Sequence, residues 1–209
     1  MKKIVLLLEF SLIFIVLPLA LYLLRQNLTH LVIPLLLAGF IGCMVYLVRN
    51  KYMSRDIFFR LKKFIPVLKI IIIRLLAGGT LLLLWQYFAG KDFLFYLPRH
   101  KPRLWLLIMF FYPLFSVIPQ EVIYRVFIRQ RYRIFFSHPA VYVLVSGAAF
   151  GLVHIFFGNL TAPLLSFAGG IIFAMTYLKT GSVLQSSLEH ALWGDLIFTI
   201  GLGHYFYSG

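Results

Sequence analysis

The sequence predicts an all-α, polytopic transmembrane helical bundle: about seven membrane-crossing helices plus one interfacial amphipathic helix. Three observations carry that expectation. First, 62% of the 209 residues are hydrophobic and 12% are charged, with mean hydropathy +0.93. One soluble core of this size cannot hide so much apolar surface. Second, the apolar residues fall into runs long enough to cross a hydrocarbon layer of ~30 Å, which takes about 20 helical residues. Third, the runs are continuously apolar rather than alternating, which argues against a transmembrane β-barrel. A lipid-exposed segment must also satisfy its own backbone hydrogen bonds, as a helix does.

The first run, 3–24, follows Met1-Lys2-Lys3. A basic start before an apolar run also describes a signal peptide, but the run is long and no small-x-small cleavage site clearly follows, so it reads as a retained helix. The second run, 30–48, holds the lone Cys43, which says nothing about redox compartment. Segment 51–66 is basic, with Ile57, Phe58, Phe59, Leu61, Phe64 and Ile65 interleaved. It reads as an interfacial helix with cations toward anionic headgroups, or as a simple charged loop. Further runs follow at 67–88, 103–127, 138–157, 159–178 and 181–202. With no repeat, low-complexity tract or soluble segment, 1–209 is expected to be one membrane domain. Residues 1–102 supply N-terminal helices and 103–209 a motif-bearing core.

A net charge of +14 invites a nucleic-acid reading. The positive-inside rule accounts for it better, and no nucleic-acid partner is expected. Lys2, Lys3, the six cations of 49–66, Arg129, Arg131, Arg133 and Lys179 fall on one side of a seven-helix arrangement. Arg25, Lys91, Arg99, Lys101 and Arg103 fall on the other. The N-terminus is therefore expected in the cytoplasm and the C-terminus outside, with basic loop 90–103 either external or lying on the membrane surface.

Ionisable groups are costly in a bilayer, so their positions are informative. Of six acidic residues, Glu9, Glu121, Glu189 and Asp195 fall inside apolar runs, as do His154 and His190. Lys69 and Arg74 are expected to snorkel toward the interface. In the fourth run Glu121 and Arg125 are four apart, share a helix face and can pair. Pro119 removes a backbone donor just before them. In the fifth run Gly147 and Gly151 form a GxxxG stripe that admits close helix packing, and Phe150 and His154 follow its turn. In the seventh, Ser186, Ser187 and Gly194 share a stripe with His190, whereas Glu189 and Asp195 point elsewhere on an ideal helix.

Each segment alone is compatible with polar packing. Together they place a carboxylate and two imidazoles on three membrane helices. Such a set can polarise water and protonate a leaving amine, or bind zinc as a two-histidine, one-carboxylate site at Glu121, His154 and His190. Both routes give hydrolysis. A nucleophilic Ser186 or Ser187 is the weaker reading, for want of a base and orienter.

Three ordered motifs carry a resemblance: Gln120-Glu121-Val122-Ile123-Tyr124-Arg125, Phe150-Gly151-Leu152-Val153-His154 and His190-Ala191-Leu192-Trp193-Gly194. They resemble the CPBP family, the CAAX proteases and bacteriocin-processing (Abi) proteins, whose pattern runs E-E-x-x-x-R, F-x-x-x-H, H-x-x-x-N. The resemblance implies a metal-free intramembrane glutamic endopeptidase in a bacterial inner (cytoplasmic) membrane. It implies a membrane-associated peptide or protein substrate and the lipid bilayer as partners, and no cofactor. Carried onto this chain, Glu121 is the base, His154 its assistant, His190 the oxyanion stabiliser and Arg125 the residue that orients Glu121.

Two positions depart from the pattern. Gln120 stands where the family's first Glu would be, and a glutamine cannot take a proton from water. Gly194 replaces the Asn and offers no side-chain donor, and Asn159 or a backbone N–H is the candidate substitute. These departures keep open a catalytically altered immunity or partner-binding membrane protein. A proton-coupled transporter using the same three residues as a relay is a further class, disfavoured by the lack of internal symmetry.

Overall fold

The computed structural model describes residues 2–89 and 91–206. Among these, every regular element is helical and there is no strand. Six helices are long and apolar enough to cross a membrane: α1 Lys2–Leu23, α2 Arg25–Arg49, α4 Phe64–Ala89, α6 Pro102–Arg131, α7 Pro139–Phe157 and α8 Thr161–Thr180. A short helix, α3 Arg55–Phe59, lies between α2 and α4, and another, α5 Tyr96–His100, precedes α6. The expected interfacial helix thus shrinks to five residues, started by the Ser54 hydroxyl accepting from the Ile57 amide and ended by extended backbone at Arg60.

The last long helix, α9 Val183–Ile200, has 18 residues, or about 27 Å at 1.5 Å per residue. It is not apolar enough to join the six. The reason is its inner face: Gln185, Ser186, Ser187, Glu189 and His190 are all buried in the bundle. Protein rather than lipid surrounds these groups, so the helix needs less hydropathy than its neighbours.

Two packing features position the site. The first is α7 against α8, where Gly147, Gly151 and Gly170 bring the backbones together. A Cβ on Gly170 would stand 2.9 Å from the Gly147 Cα and 3.2 Å from Phe150. The second is the shape of α6, which has π turns at Pro113–Val117 and Val122–Phe127 on either side of the α-helical turn Ile118–Glu121. Pro113 and Pro119 lack the amide an α-turn would use, and a wider turn accommodates that loss.

Helix α6 also runs past the expected end at residue 127, because Arg131 has a partner. Its guanidinium binds both carboxylate oxygens of Glu9 on α1, with Nε 2.8 Å from Oε1. The Tyr132 hydroxyl donates to the same oxygen at 2.9 Å. Beside this pair Phe14 of α1 is buried among Phe10, Tyr124, Phe127 and Tyr132. The tie is part-exposed, so Glu9→Gln is expected to cost only about 1 kcal/mol. A small fall in the thermal midpoint of detergent-solubilised protein would register it.

Candidate active site

Glu121 ends the α-helical turn of α6 and is completely buried. Its Oε1 accepts from His190 Nδ1 of α9 at 3.0 Å. Arg125, one turn on, places Nε 3.4 Å from the same oxygen. Glu121 Oε2 has no hydrogen-bond partner among the described residues. The carboxylate is therefore anchored through Oε1, while Oε2 is buried without a hydrogen bond.

Arg125 is itself fully buried. Its Nη1 donates to the Ser146 hydroxyl of α7 at 2.6 Å, and Ser146 in turn donates to the Tyr124 carbonyl at 2.8 Å. The guanidinium lies over the Phe150 ring at 4.9 Å and nearer the edge of reach to Phe173 at 5.8 Å. A buried cation thus has a carboxylate, a hydroxyl and an aromatic face, which is what makes its burial tolerable.

Phe150 is the hub of the site. Its ring meets Arg125 on its face, His190 edge-on at 5.2 Å and His154 at 4.7 Å. His190 is further stacked on Phe173 of α8 at 4.5 Å. His154 opens the 3-10 turn His154–Phe157 that finishes α7, and its Nδ1 lies 2.6 Å from the Phe150 carbonyl. A carbonyl can only accept, so that nitrogen carries the proton and a neutral His154 keeps Nε2 as an acceptor.

The structure therefore brings Glu121, Arg125 and His190 into direct contact and sets His154 against the same Phe150 ring that Arg125 and His190 meet. The zinc alternative is not assembled: among the described residues no three His, Cys, Asp or Glu groups lie together as a metal-ligand set. Gln120 donates to Ser116 of its own helix at 3.2 Å. Asn159 is fully engaged, accepting from the Ala162 amide at 2.8 Å and donating to the Tyr205 and Phe157 carbonyls. It starts α8 and ties the C-terminal turn, which leaves no free donor for an oxyanion. The Asp195 side chain makes no contact with Glu121 or His190, and one of its oxygens is buried without a hydrogen bond.

Arg74 does not snorkel. It reaches Glu189 Oε1 at 3.0 Å and Thr176 at 3.1 Å, and the Thr176 hydroxyl donates to the other Glu189 oxygen. Glu189 thus faces away from Glu121, into a separate network joining α4, α8 and α9. Sequence spacing could not show this pairing, since the partners are more than a hundred residues apart.

Tyr112 and Phe173 also escaped the sequence reading. The space a side chain at Gly194 would use is filled by Tyr112: an added Cβ would overlap Cε1, Cζ and Oη of its ring. The only sequence signal was a missing side chain at 194, which something had to fill.

Residues 102–194 match the family model described as type II CAAX prenyl endopeptidase Rce1-like. That span holds all three motifs and every residue of the cluster, and it is the CPBP family that the motifs resemble. No curated protein and no solved structure matches the chain.

Proposed function

From an Rce1-like match laid over this buried cluster, we propose that the chain is a CPBP-type intramembrane endopeptidase that hydrolyses its substrate with Glu121 as general base. The observation that supports it most is the state of that carboxylate: buried, anchored through Oε1, and unpartnered at Oε2. The substrate is a membrane-associated peptide or protein. The enzyme resides in a bacterial cytoplasmic membrane with its N-terminus inside.

In this mechanism water gives a proton to Glu121 Oε2 while its oxygen bonds to the scissile carbonyl carbon. His154 Nε2 accepts the water's second hydrogen and so orients it. The carbonyl π pair moves onto oxygen beside His190, and a hydrogen bond to it from Nε2 while Nδ1 stays on Glu121 requires the doubly protonated ring. The C–N bond then breaks and the proton passes from Glu121 to the leaving amine. One peptide bond and one water become an acid and an amine, and Glu121 is ionised again. Arg125 fixes the carboxylate throughout. The reading uses no metal, and elemental analysis of the purified protein checks that.

The test uses purified protein in lipid nanodiscs and a fluorescence-quenched peptide ending in a farnesylated Cys-aliphatic-aliphatic-X sequence, with an unprenylated copy beside it. Wild type should cleave. Glu121→Gln keeps an oxygen for His190 and Arg125 but cannot take a proton, and should lower kcat by about 10²–10⁴. His154→Ala should lower it by on the order of 10². Equal cleavage by wild type and both variants would sink the proposal. A second reading, a non-catalytic partner-binding protein on the same scaffold, is favoured by Gln120 turning to Ser116. Activity that appears only in Gln120→Glu would select it.

A further inference from the structure

Resting on the endopeptidase reading, we propose that Tyr112 is a catalytic residue, its hydroxyl donating a hydrogen bond to the oxygen of the scissile carbonyl as negative charge develops there. Tyr112 closes the α-helical first stretch of α6, immediately before the π turn Pro113–Val117. Its ring meets His190 edge-on at 6.1 Å and Phe198 at 5.4 Å, and lies against Gly194 so closely that no Cβ fits there. The absence of a side chain at 194 is therefore a condition for the tyrosine's position.

Tyr112 is half-buried, and its ring, through His190, Phe198 and Gly194, sets it beside the partner of Glu121. A tyrosine ring fixed by packing presents its hydroxyl without losing further side-chain freedom. One held by its ring beside His190, the partner of Glu121, is placed to donate to an acceptor that arrives with the substrate. A neutral phenol has one O–H and so can donate.

The step balances without a proton from tyrosine. Water's oxygen bonds to the carbonyl carbon, water's proton goes to Glu121, and the carbonyl π pair settles on oxygen. That oxygen accepts hydrogen bonds from Tyr112 and His190. When the C–N bond breaks the pair returns to form the C=O, and Tyr112 is unchanged. A donor preorganised in this way stabilises the transition state more than the ground state.

Tyr112→Phe removes the hydroxyl and keeps the ring against Gly194. With the farnesylated peptide in nanodiscs, kcat is expected to fall about a hundredfold or more, with KM and thermal midpoint unchanged. Tyr112→Ala combined with Gly194→Asn puts a carboxamide into the vacated space, and recovery of part of the kcat lost in Tyr112→Ala alone would support the role. If wild type cleaves and Tyr112→Phe has the same kcat, the inference is overturned and the endopeptidase reading stands. A Tyr112→Phe that loses stability and kcat together marks a space-filling ring and also overturns it. Folded wild type that cleaves neither peptide removes the endopeptidase reading and this inference with it.

Discussion

Arg125→Met is expected to destabilise the protein by about 3–5 kcal/mol, the cost of leaving a buried carboxylate without its countercharge. The guanidinium is fully buried against Glu121, Ser146 and the Phe150 face, so methionine replaces its volume but none of its polar contacts. Denaturant unfolding in detergent would measure the loss. The double variant Glu121→Leu with Arg125→Met should regain much of it, because apolar groups of similar size often replace a buried ion pair at little cost. That same variant should have no peptidase activity. A double variant as unstable as Arg125→Met alone would mean that Ser146 and Phe150, not Glu121, dominate the contribution of Arg125.

Gly170→Val should have the second largest effect, through geometry rather than charge. The new side chain would start 2.9 Å from the Gly147 Cα and 3.2 Å from Phe150, where one obstacle is backbone. Helices α7 and α8 must part, at about 1–3 kcal/mol for overpacking. Phe150 must move with them, and Arg125, His154 and His190 all rest on its ring. Activity should therefore fall further than the stability loss alone accounts for, since small displacements of reacting groups are costly. The exposed neighbour Ala168 provides the control. Ala168→Val should stay within about 0.5 kcal/mol of wild type with full activity.

The bundle was legible because a membrane imposes length. Apolar runs placed the helices to within a few residues, and only the more polar α9 falls short of the others in hydropathy. The Glu121–Arg125 contact was equally legible, because four residues along a helix is a local relation. What the sequence hid depends on contacts between distant segments or on departures from α geometry. Arg74 and Glu189 looked like separate intramembrane charges, yet they form one network because α4 and α9 are neighbours. Asn159 looked like a spare donor, yet it ties the first turn of α8 to the Tyr205 carbonyl. Tyr112 sat in the aromatic stretch Phe110-Phe111-Tyr112 with nothing to distinguish it until Gly194 was seen beneath its ring.

The wide turns of α6 have a consequence for how this helix tolerates a gained or lost residue. A π turn is an α-helix holding a surplus residue, so residues gained or lost there alter phase rather than length. Each one turns everything beyond it by about 100° around the axis. Whether position 120 or position 121 presents its side chain to His190 thus depends on how many residues are wedged in upstream, between Pro113 and Val117. A one-codon insertion or deletion in that stretch would turn Glu121 and Arg125 together away from His190, so the count of residues between Pro113 and Val117 sets the phase of the whole ion pair.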